Sequence, residues 1–74
     1  MTIHYSMFIQ WSEDDHLYQV TIPEFVGRVK QPCTSGETYT DAVHDAQDYI
    51  QTCLDVWDEN GEDPPLVRSL AIAE

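Results

Sequence analysis

The sequence predicts an α+β fold with the element order β-β-β-α-β, in which one helix packs on one face of an antiparallel sheet. Two patterns support this prediction. Up to Ile22, apolar residues recur at every second position, which is typical of strands with one buried face. From Tyr39 to about Glu59 they recur with the 3.6-residue period of an amphipathic helix. We expect one domain, residues 1–74, with a small core.

The first two predicted strands form a hairpin. The first strand covers residues 3–11, and one of its faces carries Ile3, Tyr5, Met7, Ile9 and Trp11. After a polar turn at residues 12–15, alternation resumes over residues 17–22. Pro23 lacks a backbone donor and Gly27 tolerates positive φ, so we expect the sheet to be interrupted between them.

One long helix is predicted from Tyr39 to about Glu59. Thr38 is a favourable N-cap, and Asp41 lies three residues later, as the acidic residue of a capping box does. Gly61 suits the left-handed position that ends a helix. The apolar stripe predicted to face the sheet comprises Ala42, Val43, Ala46, Tyr49, Ile50, Cys53, Leu54 and Trp57.

Two short strands complete the predicted sheet. The third strand is expected at Arg28–Gln31, between Gly27 and Pro32, because its mixed polar character suits a strand with one open face. After the helix, two consecutive prolines favour an extended chain. A last strand is therefore expected at Leu66–Ile72.

The acidic composition restricts the kinds of partner. The chain has 14 acidic residues against three basic ones, and its net charge is −11. Such a surface repels nucleic acid and anionic membranes and attracts a basic protein. We therefore expect no direct binding of DNA, RNA or membranes. No apolar run approaches the length of a membrane span and the N-terminus does not read as a signal peptide, so we expect a cytoplasmic protein.

The chemistry-bearing residues do not form a recognisable catalytic motif. His44 and Asp48 lie four apart on the helix and could share an ion, but nothing in the sequence brings a third ligand close. Cys53 lies on the apolar stripe, and no neighbouring His or Lys activates Cys33. The sequence has no Gly-rich phosphate loop and no nucleophile elbow. We expect no catalytic residue, no metal and no cofactor.

Several segments together resemble the HicB-type antitoxin family. They are Trp11-Ser12 with acids following, residues 18–24 (YQVTIPE), Gly27, residues 36–42 (GETYTDA) at the start of a long helix, and residues 59–62 (ENGE) before a proline-containing segment. Each segment alone has little specificity. Their order and spacing, which cover residues 3–72, carry the resemblance.

The resemblance implies a truncated RNase H-like fold and a non-catalytic protein that binds and neutralises a small basic mRNA interferase of the HicA type. Many members continue into a C-terminal DNA-binding domain. This sequence ends at Glu74, so we expect a short stand-alone member without autorepression. Chosen by charge and expected exposure, the candidate partner-binding residues are Glu13, Asp14, Asp15 and Glu24.

Two alternative functions stay open at the level of sequence. One is an orphan small-ligand or regulatory binding module, in which Tyr and Trp side chains line a pocket between the helix and the sheet. The other is a degenerate metal-dependent, nuclease-like hydrolase that uses Asp41, His44 and Asp48. In any of these roles we expect a homodimer or a higher oligomer, because a small core and open strand edges favour association.

Overall fold

A computed structural model describes residues 4–68, which form a three-stranded antiparallel sheet and one helix. The elements are β1 (Phe8–Ser12), β2 (Leu17–Thr21), a 3-10 helix (Pro23–Phe25), β3 (Thr34–Gly36) and α1 (Tyr39–Glu59). The strand order is β1-β2-β3, and both pairs are antiparallel. These elements confirm the α+β class. The predicted last strand lies largely outside the described residues, and its described part, residues 66–68, has no strand conformation.

The hairpin of β1 and β2 has the predicted turn, but β1 begins later than predicted. Trp11 pairs with Tyr18, and Ile9 pairs with Val20. Residues 4–7 have no strand conformation. In this segment the amide of Ser6 donates to the two carboxylate oxygens of Glu24, at 3.0 and 3.1 Å. In a strand, the same amide would donate to a backbone carbonyl of a neighbouring strand. Tyr5 and Met7 of this irregular segment are partly buried and pack against the core.

The predicted third strand at Arg28–Gln31 is wrong, because β3 lies after Pro32. The amides of Arg28 and Val29 donate to the carbonyl of Phe25, at 3.0 and 3.1 Å, so the chain turns where the strand was expected. Pairing with β2 resumes only when the amide of Cys33 donates to Val20. Polar alternation in a four-residue segment could not distinguish a strand from a turn.

The helix α1 agrees with the prediction at both ends. The amide of Asp41 donates to Thr38 Oγ1 at 3.1 Å, which is the expected N-cap hydrogen bond. Gly61, just after the C-cap residue Asn60, has φ +71°. A left-handed residue at this position is a common end of a helix, and glycine adopts it without steric cost.

The core lies between α1 and the sheet. Its fully buried members are Val20, Ile22, Phe25, Ala42, Ala46 and Ile50, and Trp57 is nearly buried. The helix packs mainly against β3 and β2. The close approach requires glycine at position 36, because a Cβ there would lie 2.7 Å from Cα of Ala42. Because α1 packs mainly against β3 and β2, the β1 side of the sheet is less well covered by the helix.

Candidate functional site

The expectation that Glu24 is exposed is wrong. Only 6% of this residue is exposed, and its carboxylate accepts hydrogen bonds from two distant parts of the chain. The amide and hydroxyl of Ser6 donate to it at 3.0 to 3.1 Å, and the amide of Arg68 donates at 3.0 Å. The 3-10 helix after β2 turns Glu24 toward these donors. Glu24 therefore joins the N-terminal and C-terminal segments of the described chain.

The environment of Glu24 favours its ionised form. Burial by itself would raise the pKa of the carboxyl, but the backbone hydrogen bonds from Arg68 and Ser6 outweigh it, and the pKa is lowered from 4.5. Two further contacts hold the C-terminal segment. The hydroxyl of Tyr5 donates to the carbonyl of Pro65 at 2.6 Å, and Arg28 Nη1 donates to the carbonyl of Asp63 at 2.6 Å. These two hydrogen bonds attach the segment after α1 to the rest of the fold.

The other three candidates, Glu13, Asp14 and Asp15, form an exposed acidic turn between β1 and β2. Ser12 Oγ accepts from the amide of Asp15 at 3.3 Å, and Asp15 Oδ2 accepts from Gln19 Nε2 at 2.9 Å. Within residues 4–68, no hydrogen bond or ion pair engages the carboxylates of Glu13 and Asp14. The acidic turn is thus held in shape by its backbone and by Asp15. Its role in binding a partner stays a prediction.

Next to the acidic turn lies an exposed row of three aromatic side chains, Trp11, Tyr18 and Tyr39, which we call the aromatic row. Trp11 and Tyr18 are cross-strand neighbours with ring centroids 5.1 Å apart in edge-to-face geometry. Tyr18 stacks on Tyr39 of α1, with centroids 4.3 Å apart and planes inclined by 29°. Trp11 is 43% exposed and Tyr39 is 61% exposed, whereas Tyr18 is half-buried between them.

The sequence patterns predict that these aromatic residues lie in the core or at an interface, and the ligand-binding alternative places Tyr and Trp side chains in a pocket between helix and sheet. The alternation correctly places Trp11 and Tyr18 on the helix-facing side of the sheet. What it could not show is that α1 packs over β2 and β3 and leaves the β1 side open. Exposure of the aromatic row is a consequence of where the helix lies.

The residues considered for metal binding and nucleophilic chemistry are not gathered into a site. His44 Nδ1 lies 3.5 Å from Asp48 Oδ2, and both side chains are largely exposed. In the part of the chain that the structure describes, no three His, Cys, Asp or Glu side chains are placed to hold a metal ion. Burial raises the pKa of both free thiols, Cys33 and Cys53. A raised pKa keeps a thiol protonated and weakly nucleophilic.

Within the described residues, the depressions that could take a small ligand lie at the surface. The interface between α1 and the sheet, where a pocket was envisaged, is filled by fully buried side chains. A shallow depression of about 380 Å³ lies on the N-terminal half of α1, where its lining residues are Tyr39, Thr40, Val43, His44 and Gln47. It adjoins the aromatic row through Tyr39.

Among residues 4–68, no helix has the length and apolar character needed to cross a membrane. Comparisons with known proteins add no relative: no family model, no curated protein and no solved structure matches the chain.

Proposed function

We propose that this chain is a non-catalytic, antitoxin-like protein that binds and neutralises a small basic mRNA interferase of the HicA type. We also propose that its fold is a truncated RNase H-like domain of the HicB type. The observation that carries the proposal is the acidic turn, three consecutive exposed acids held on a hairpin of a chain with net charge −11. The resemblance of the sequence to the HicB-type family supplies the class of partner.

The physical basis of neutralisation is competition for a basic surface. An RNA-cleaving protein needs clustered Lys and Arg side chains to hold phosphates. An acidic protein is steered to that surface by the same electrostatic attraction and covers it. The attraction weakens as salt is added, because the Debye length falls from about 10 Å at 0.1 M to about 3 Å at 1 M.

Capture followed by an activity assay tests the proposal. The tagged chain is used as bait in an extract of its native host, and recovered proteins are identified by mass spectrometry. We expect a small basic protein that is lost at high salt, that cleaves RNA when purified, and that stops cleaving when the chain is added at equal concentration. Recovery of the chain alone, or of a basic protein whose RNA cleavage is unaffected, would contradict the proposal.

The alternatives find less support in the structure. A ligand-binding module would have to use a surface depression such as the one on α1, since the interface between helix and sheet is filled. A metal-dependent hydrolase would have to use Asp41, His44 and Asp48, and within residues 4–68 these three are not placed together as ligands of one metal ion. Exposed pairs such as His44 and Asp48, four residues apart on a helix, are common as weak ion pairs.

A further inference from the structure

We infer that the aromatic row and the acidic turn together form one docking surface for a basic segment of a partner protein. Cationic side chains of that segment stack on Trp11 and Tyr39 while the carboxylates of the acidic turn neutralise their charge. The inference rests on the proposed function in taking the partner to be basic. It goes further in assigning the contact to the β1 side of the molecule.

The first step of the argument is the geometry of the rings. Trp11 and Tyr39 both pack against Tyr18, with centroid separations from it of 5.1 and 4.3 Å, so the three rings form one continuous surface. His16 extends the row beyond Trp11, at a centroid separation of 6.2 Å. Each outer ring is at least two-fifths exposed. The face of an aromatic ring is electron-rich and attracts a cation within about 6 Å of its centroid.

The second step is that this chain places no Lys or Arg of residues 4–68 against Trp11. Its three basic residues are Arg28, Lys30 and Arg68, all within the described residues. In residues 4–68, the guanidinium of Arg28 lies 5.1 Å from the ring centroid of Trp57, and this is the one cation–π contact found there. The tryptophan at the helix end thus has an internal cationic partner, whereas no Lys or Arg of residues 4–68 makes such a contact with Trp11. The ring of Trp11 is therefore open to a cation from another molecule.

The third step is charge complementarity, which selects the partner. The acidic turn begins two residues after Trp11, and Glu37 and Asp41 each lie two residues from Tyr39 in the sequence. Glu37 and Asp41, like the three acids of the turn, are exposed. Nucleic acid could stack on aromatic rings, but its phosphates would be repelled here. A basic protein segment, rich in Arg, satisfies both the rings and the carboxylates.

Nuclear magnetic resonance of the ¹⁵N-labelled chain tests the inference with a defined probe. The probe is a ten-residue peptide of alternating Arg and Gly, and the matched control is the same peptide with Glu in place of Arg. Trp11 and Trp57 each give one indole N–H signal. We expect the Arg peptide to shift the Trp11 indole and the amides of residues 13–15 at 0.15 M salt, while the Trp57 indole stays in place.

Two pairs of variants distinguish binding at this surface from non-specific electrostatic attraction of the peptide to an acidic protein. Trp11→Ala removes one stacked ring and should weaken peptide binding about three- to fivefold. Phe8→Ala is its control, because Phe8 is an exposed aromatic residue on the same strand (53%), on the opposite face of the sheet. We expect this control to bind the peptide as the parent chain does.

The second pair removes equal charge at two places. One variant carries Glu13→Gln, Asp14→Asn and Asp15→Asn. The other carries Asp55→Asn, Asp58→Asn and Glu59→Gln, exposed acids that begin about 24 Å along α1 from Tyr39. We expect the first variant to weaken binding at least threefold more than the second. Circular dichroism of all variants checks that each is folded.

Three outcomes would overturn the inference. They are absence of peptide-induced shifts, shifts centred away from Trp11 and the acidic turn, and equal weakening by the two charge variants. None of these outcomes contradicts the proposed function, which the capture and RNA-cleavage assay tests separately, because a toxin could be neutralised through another acidic surface. Conversely, shifts at Trp11 in a chain that captures no RNA-cleaving protein would retain the docking surface and remove the antitoxin role.

Discussion

At the scale of single residues, burial decides which acids are available to a partner. Glu24 and the acids of the hairpin turn are equivalent in charge, yet Glu24 is enclosed by donors from Ser6 and Arg68. An ionised carboxylate that accepts several hydrogen bonds stabilises the folded state, and losing one partner of such a buried group is costly. The same side chain type thus serves structure at one position and remains free for recognition at another.

This difference leads to a pH-dependent prediction for Glu24. Its pKa is lowered in the folded state, so its ionised form stabilises the fold above the unfolded value of 4.5, and that stabilisation is lost as pH falls through the folded-state pKa. Glu24→Gln should therefore lower the free energy of unfolding by about 1–3 kcal/mol at pH 7. The deficit should shrink progressively below pH 4.5. Urea unfolding of both proteins between pH 3 and pH 7 measures it.

The matched control is Glu13→Gln, the same chemical change at an exposed position of the turn. It should alter the free energy of unfolding by less than about 0.5 kcal/mol at every pH. A deficit for Glu24→Gln that is constant with pH would show that the lost hydrogen-bond geometry matters and the ionisation does not.

At the level of secondary-structure elements, residues 28–31 form no strand, but the side chain of Gln31 hydrogen-bonds to the backbone just after β2. Gln31 Nε2 donates to the carbonyl of Ile22 at 3.0 Å, and Gln31 Oε1 accepts from the amide of Ile22 at 3.3 Å. These two bonds follow the pattern of a paired neighbouring strand at the end of β2. Gln31, which was predicted to lie in a strand, instead extends the hydrogen-bond pattern of β2 through its side chain.

The role of Gln31 can be measured by truncation. Gln31→Ala leaves the amide of Ile22, a fully buried residue, without its hydrogen-bond acceptor. The expected loss is about 1–3 kcal/mol of unfolding free energy, the cost of a buried unsatisfied group. Amide hydrogen exchange should show faster exchange at Ile22, whereas exchange in the middle of α1 should follow only the global change. Gln10→Ala, an exposed glutamine on β1, is the control and should change stability little.

At the scale of the whole molecule, one helix covers a three-stranded sheet incompletely. The small core and the edge position of β1 motivate our expectation of a homodimer or higher oligomer, since an uncovered strand edge favours pairing with another chain. The same incomplete coverage exposes the aromatic row. Both features arise from one property of the fold, the packing of α1 toward β2 and β3.

The oligomeric state has a direct measurement. Light scattering coupled to size-exclusion chromatography at micromolar concentration should give at least twice the 8.5 kDa mass of the chain. Repeating the measurement with Trp11→Ala separates association from docking, because a strand edge pairs through its backbone and should tolerate this change. A mass of one chain at micromolar concentration would contradict the expectation.

Features that depend on local periodicity and capping could be predicted from the amino-acid sequence. The hairpin turn, the span of α1, its N-cap at Thr38 and most of its buried stripe follow from patterns within a few residues, because backbone hydrogen bonding and side-chain direction repeat along one element. Val43 is the exception in the stripe, since it lines the surface depression. The stripe prediction includes Trp57, which is nearly buried against Phe25, at a centroid separation of 5.0 Å.

Features that depend on which distant segments meet could not be predicted and become visible in the folded chain. The burial of Glu24 requires donors 18 and 44 residues away in the sequence, and the place of β3 depends on pairing with β2 after a turn. The exposure of Trp11 and Tyr39 depends on where α1 lies across the sheet. The physical reason is the same in each case: exposure and hydrogen-bond partners are properties of the packed chain, and no local pattern specifies them.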